Sequence, residues 1–162
     1  MNYANIKYND IANGEGIRTS LFVSGCRNNC PGCFNKEAQD FNCGEEFTDD
    51  IMDKIIDSVD DKYHDGITLL GGDPMEPENA EVLCKLAEKF KKKYGDTKTI
   101  WCYTGYIYES INALDSSDYR HKLLSFIDIL VDGPFIEKEK DITLRFKGSR
   151  NQRIIKLNTI AD

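Results

Sequence analysis

The sequence predicts an α/β fold in which a mainly parallel sheet forms an open, partial (β/α) barrel. Short β-prone runs alternate with segments of helical periodicity, the pattern of parallel strands joined by right-handed crossovers. Glycine and polar residues follow every strand. A closed eight-unit barrel needs roughly 250 residues, and this chain of 162 offers only four or five strands. Residues 1–162 are expected to form one domain, long enough to bury a core without disulfide staples.

Residues 19–23 (TSLFV) read as the first strand, and Ser24-Gly25 ends it. Thr48 caps a helix whose first turn holds Asp49 and Asp50, with Ile51, Ile55, Ile56 and Val59 on one face. Residues 66–70 (GITLL) form a buried strand that ends in Gly71-Gly72-Asp73-Pro74. A second helix starts near Pro77, carries Val82, Leu83, Leu86, Ala87, Phe90 and Tyr94 at helical spacing, and stops at Gly95. A third strand, 99–103 (TIWCY), closes at Thr104-Gly105, and a fourth lies within 126–131 (FIDILV), before Asp132-Gly133-Pro134.

In such folds ligands bind at the carboxyl ends of the strands. The loop after the first strand and the turns Gly71-Gly72, Thr104-Gly105 and Asp132-Gly133 should therefore converge on one mouth. The absent half of the barrel leaves a side of that mouth open, a gap suited to admitting a segment of another protein.

The loop after the first strand holds Cys26, Cys30 and Cys33, flanked by Gly25 and Gly32. Three thiolates match three corners of a four-iron cluster and leave the fourth iron free to bind something other than protein. A vacant coordination position marks a catalytic rather than a structural site. Three other readings compete. Cys43 could complete a tetrahedral zinc site, Cys30 and Cys33 could form a redox pair, and the thiols could form disulfides. The disulfide reading fits poorly with a chain that shows no apolar signal peptide and no run near the ~20 residues that span a bilayer. A cytoplasmic location, where thiols stay reduced, is expected. The formal net charge of −7 disfavours nucleic acid as a partner.

The C-x3-C-x2-C loop resembles the signature of the radical S-adenosylmethionine superfamily. Gly71-Gly72-Asp73-Pro74 resembles that superfamily's second motif, a glycine-rich turn against the methionine part of the ligand. More narrowly, four segments resemble the activating proteins of anaerobic ribonucleoside-triphosphate reductases. They are Asn13-Gly14-Glu15-Gly16-Ile17-Arg18, Cys30-Pro31-Gly32-Cys33-Phe34-Asn35, Val131-Asp132-Gly133-Pro134-Phe135 and Gly148-Ser149-Arg150-Asn151-Gln152-Arg153.

The resemblance implies one 4Fe-4S cluster held by Cys26, Cys30 and Cys33, with S-adenosylmethionine contacted by Gly32, Cys33, Phe34 and Gly72. It also implies reductive cleavage of that ligand to a 5′-deoxyadenosyl radical, which generates a glycyl radical on the reductase. The implied partners are the glycine-bearing segment of the reductase and a cellular one-electron donor, with no nucleic acid and no membrane. Two departures stand out. Gly32 occupies the position before the third cysteine where many superfamily members have an aromatic residue, and Asp73 stands where many have Glu. Activation of another glycyl-radical enzyme, of formate-lyase type, and a non-catalytic zinc-stabilised binding module are the alternatives.

The remaining candidates read as structural or solvated. Cys43, Cys84 and Cys102 are expected to act as small hydrophobes, and His64 and His121 to sit in water. Arg18 could meet a ligand carboxylate or form an ordinary surface ion pair. The basic run Arg145, Lys147, Arg150, Arg153, Lys156 is either a solvated face or a segment whose residues 148–153 dock the reductase or help close the ligand site.

Overall fold

Residues 1–158 are described by a computed structural model, so the last four residues of the expected 1–162 domain lie outside the described residues. In chain order the elements are β1 (Asn2–Asp10), β2 (Ile17–Val23), β3 (Glu45–Glu46), α1 (Asp49–Ser58), β4 (His64–Gly71), α2 (Pro77–Tyr94), β5 (Thr99–Tyr103), α3 (Tyr108–Asn112), α4 (Tyr119–Leu124), β6 (Ile129–Asp132) and β7 (Arg153–Lys156). All seven strands form one sheet in the order β3-β1-β2-β4-β5-β6-β7. The four central strands β2, β4, β5 and β6 are mutually parallel, while β1, β3 and β7 pair antiparallel at the two sides. The sheet is open.

The parallel centre is the one predicted, and the flanking strands were not predicted. β1 reads NYANIKYND, without clean alternation, and is mostly half-buried or exposed. Strand β7 is four residues with one half-buried side chain. Edge strands of this kind are specified by the neighbour's free ladder groups rather than by a hydrophobic face, so periodicity cannot find them. The fourth strand also begins later than its apolar run, at Ile129. Asp128 interrupts that run. Its carboxylate accepts from Ile100 N at 2.7 Å and from Lys91 Nζ at 2.6 Å, tying the approach to β6 to both β5 and α2.

Helix α1 is capped as expected, with Thr48 Oγ1 accepting from Ile51 N at 3.3 Å. Its buried face is Met52, Ile55 and Ile56, and Ile51 is only half-buried. Pro77 opens α2, where its missing N–H costs nothing. The helix ends at Gly95, whose φ of 56° suits a residue without Cβ and whose N–H donates to Lys91 O at 2.8 Å. The helices cover one face of the sheet. Leu21, Val23, Ile67, Leu69, Ile100, Cys102 and Leu130 pack there against Ile55, Leu83, Leu86, Phe90 and Leu123 in one core. Cys84 and Cys102 belong to this layer as small hydrophobes, as predicted.

The opposite face is more polar. Trp101, Ile129 and Val131 form a second cluster with Tyr103 and Phe146, and beside it lie the buried Arg18, Ser20 and Thr68. Arg18 corrects both sequence readings. It is neither on the surface nor free for a ligand, being only 1% exposed. Its guanidinium donates to Thr68 Oγ1, Glu15 O, Ile67 O, Thr99 O and Thr99 Oγ1 at 2.7–3.0 Å and lies over the Trp101 ring at 5.8 Å. Burial pulls its pKa down to about 10, against the opposing pull of Asp65 and Asp128. The fork thus joins β2, β4 and β5 beneath the site.

The histidines are also corrected. His64 binds Asp61 Oδ2 and Asn9 Oδ1 through its two ring nitrogens at 2.7 and 2.8 Å, and His121 Nδ1 is buried without a hydrogen-bond partner among the described residues.

Lysine cannot reproduce the planar fork of Arg18. Arg18→Lys should leave several buried acceptors unpaired and lower stability by about 2–4 kcal/mol. Urea unfolding of the purified variant checks this, and a shift near zero would contradict the clamp.

Candidate functional site: a cysteine loop over the carboxyl ends of the strands

The site begins where β2 runs out. Gly25 N donates to Ala38 O at 2.7 Å and Cys26 N to Gln39 O at 3.1 Å, so the cysteine loop is pinched shut at its base. Gly72 N donates to Val23 O at 2.6 Å and Asp73 N to Gly25 O at 2.8 Å, stitching the turn after β4 to that base. A Cβ on Gly72 would stand 2.5 Å from Gly25 O and 2.7 Å from Ala38 O. Only glycine allows so close a backbone approach.

Side chains complete the fastening. Asp73 is buried and accepts from Met75 N, Thr104 Oγ1, Gly105 N and Asn28 Nδ2 at 2.8–2.9 Å. One carboxylate thereby holds the cysteine loop, its own turn and the turn after β5. Burial pushes its pKa up to about 6, against the pull of those hydrogen bonds. Glu76, fully buried, accepts from Arg27 N at 2.7 Å, Arg27 Nη1 at 2.6 Å and the Tyr106 hydroxyl at 3.1 Å. Arg27 also pairs with Glu78 and lies 4.5 Å from the Phe41 ring centre. Asn79 Nδ2 donates to Ser24 O and Asp73 O at 3.0 Å.

This frame encloses a cavity of about 420 Å³. Cys26, Cys30 and Cys33 line it together with Gly71, Gly72 and Asp73, Thr104 and Gly105, and Gly133. The four turns predicted to converge do so. The segment after β6 supplies the facing wall through Phe135, Leu144, Phe146, Lys147, Gly148 and Gln152. Phe34 also lines the cavity but is 66% exposed, its ring 5.1 Å from that of Phe135. Gly32 is exposed and outside the lining, turned toward Glu137 with a φ of 75°.

Of the basic run, Lys147 reaches the cavity beside Gly148, while Arg153 is committed to Asp132 and Glu109. Sequence reasoning missed Asn28, Glu76 and Tyr103. A charged pair spaced Asp73-x-x-Glu76 in a strand-to-helix turn was the available signal, and nothing local announced the other two.

The cysteines suit a cluster better than a single ion. All three thiols come from one loop, are half-buried and face one cavity, whose lining does not include Cys43. Among the described residues no three His, Cys, Asp or Glu side chains are grouped closely enough to hold one metal ion, which requires donors within about 2.0–2.3 Å of a common centre. The zinc reading loses its fourth ligand. Burial pushes the Cys26 thiol up to about 11, so ligation there must release a proton at neutral pH.

A family model described as "4Fe-4S single cluster domain" matches residues 12–155. A protein of Haemophilus influenzae is 40% identical over 157 residues, 95% of this chain and 97% of its own length. One from Escherichia coli is 40% identical over 154 residues, covering 94% and 96%, and one from enterobacteria phage T4 is 35% identical over 154 residues, covering 95% and 93%. Each is named anaerobic ribonucleoside-triphosphate reductase-activating protein. The chain belongs to this family. Its members match this chain nearly end to end, so the iron-sulfur domain extends over most of the fold described above.

Asp73→Asn keeps the shape of the side chain but replaces one acceptor oxygen with an amide facing two donors. A loss of about 2–4 kcal/mol in the unfolding free energy follows. Urea unfolding measures it; full stability in the variant would show that the four bonds do not fix the loop.

Proposed function

We propose that the chain activates anaerobic ribonucleoside-triphosphate reductase by generating a glycyl radical on it, using a 4Fe-4S cluster and S-adenosylmethionine. The observation that carries this reading is the placement of three thiols from one loop on the same cavity as the Gly71-Gly72 turn, with no fourth thiol in the lining. Cys26, Cys30 and Cys33 would hold three irons and leave the fourth for the amino and carboxylate groups of the ligand. With cluster and ligand bound, the chemistry supplied is one-electron cleavage to methionine and a 5′-deoxyadenosyl radical, which takes a hydrogen atom from the reductase glycine.

The residues of the chain do the placing. Gly72 brings the turn after β4 against the base of the cysteine loop, where a side chain would collide with backbone. Asp73 and Glu76 fix the loop by hydrogen bonds to Asn28 and Arg27, the two residues just after Cys26. Phe22, Leu70 and Val131 give the cavity an apolar floor that excludes water from a reactive site. Phe34, Phe135 and Gly148 meet at the rim, with the would-be Cβ of Gly148 only 3.3 Å from the Phe34 ring, so the segment around Gly148 helps close the ligand site. Hydrogen-atom abstraction requires no general base.

In this reading the open sheet is the partial barrel of the radical S-adenosylmethionine superfamily, the 1–162 unit is one domain, and the gap at its side admits the glycine-bearing segment. A separate donor supplies the electron. The reading takes the cytoplasm, where thiols stay reduced, as the site of action; among the described residues no helix is long and apolar enough to cross a membrane. The near-complete two-way coverage of the reductase-activating relatives favours that reductase over a longer formate-lyase-type system.

Anaerobic incubation with S-adenosylmethionine, dithionite and the reductase should release methionine and 5′-deoxyadenosine and produce a glycine-centred resonance signal. Nucleoside release without the signal would identify a different acceptor, and no release would refute the chemistry. Cys30→Ser and Cys33→Ser should each lose most of the brown chromophore and at least about a hundredfold of activity, as loss of a ligand implies. Iron assay and visible absorption after anaerobic reconstitution check the first effect.

A further inference from the structure

The segment that faces the cysteines across the cavity is charged against the trend of the chain. Residues 136–153 hold six Lys or Arg and three Asp or Glu, while the chain as a whole carries a net −7. Arg153 and Lys147 are engaged by Asp132, Glu109 and Gln152 O. The other four, Lys138, Lys140, Arg145 and Arg150, are exposed, and among the described residues their side chains form no ion pair. Two of these cations stand at the mouth itself. Lys140 Nζ lies 5.1 Å from the ring centre of Phe34, and the Arg145 guanidinium 4.6 Å from that of Phe146. Both rings line the cavity.

The same rim exposes hydrocarbon. Phe34 is 66% exposed and Ile142 is 89% exposed. Ile142 sits in a turn in which Asp141 Oδ1 accepts from Thr143 N at 2.9 Å and Thr143 Oγ1 at 2.6 Å, and Asp141 O accepts from Leu144 N at 3.2 Å. Asp141 N donates to Gly148 O at 3.3 Å, and Leu144 enters the cavity lining, so the turn is anchored beside the cavity while it holds an isoleucine in water. A lone exposed apolar side chain is ordinary. One presented by a fastened turn, between a cavity and a row of unpaired cations, is a preorganised contact.

We infer that this rim is the docking surface for the reductase, receiving a segment that sets acidic side chains against Lys140, Arg145 and Arg150 and an apolar one against Ile142 and Phe34. The inference rests on the reductase reading above and deepens it. Charge complementarity selects an anionic partner face, because the rest of this acidic chain repels one and steers it to this side. The exposed hydrocarbon favours a docked protein segment over the small, transient contact of an electron carrier.

The test measures the affinity of the cluster-loaded protein for the reductase by biolayer interferometry, anaerobically and without reductant. Ile142→Ser and the double variant Arg145→Glu/Arg150→Glu should each bind about tenfold or more weakly. Raising salt from about 50 to about 300 mM should weaken wild-type binding and leave that of the double variant little changed. Lys54→Glu/Lys85→Glu, the same change of charge on α1 and α2, should bind like wild type. All the altered side chains are exposed, so urea midpoints and visible absorption should match wild type. Wild-type affinity in either rim variant would overturn the assignment, as would equal weakening in the helix-side variant, which would reduce the effect to net charge. Loss of reduction by a protein electron donor with reductase binding intact would give the rim to that donor and overturn it as well. Failure of wild type itself to bind the reductase would refute the partner reading, and is told apart because it needs no variant.

Discussion

The carboxylate of Asp73 sits buried where three loops meet, and it takes hydrogen bonds from each of them. A cysteine loop is by itself a floppy object. Fixing each residue costs about 1–2 kcal/mol of conformational entropy, and an excursion between Gly25 and Gln39 has little apolar surface to offset it. The strand ends are rigid because the parallel ladder and the helix-side core hold them. Asp73 transfers that rigidity to the loop through Asn28, and Glu76 repeats the arrangement through Arg27. Thiol positions are thus set by the sheet rather than by the loop's own sequence.

The two faces of the sheet divide the work. The helix-covered face supplies the hydrophobic core, while the other is floored with a mixture of apolar and hydrogen-bonded polar groups. Burying a guanidinium is costly unless its donors are satisfied. Arg18 satisfies them with oxygens of β4, of β5 and of the chain leading into β2, which makes it a crossbar under the cavity. Gly14, ahead of β2, fits this role. A Cβ there would press into the Arg18 side chain and Trp101, so the segment can lie over the fork only with glycine at that position.

Charge is distributed with similar economy. The chain is acidic overall, and two residues of its C-terminal basic run, Lys147 and Arg153, are tied into the fold. Arg153 is held by Asp132 at the end of β6 and by Glu109 on α3, an arrangement that fastens the first residue of β7 beside the Gly133 turn. Lys147 donates to Gln152 O, and Gln152 binds Gly133 O and Gly148 N, so the segment facing the cysteines is closed by its own hydrogen bonds.

What the sequence determined by itself was whatever rests on local pattern. Four parallel strands, the Thr48 cap, the Pro77 start, the Gly95 stop and the convergence of four turns were legible, because period, capping and turn chemistry act over a few residues. The cysteine spacing likewise pointed to an iron-sulfur domain, and the segments around it to the family. Tertiary structure alone decided the roles of Arg18, Asn28 and Glu76, since each depends on partners 30 to 81 residues away that no local pattern encodes. It also decided the edge strands β1, β3 and β7, whose pairing is dictated by unfilled backbone groups on their neighbours rather than by any side-chain preference of their own.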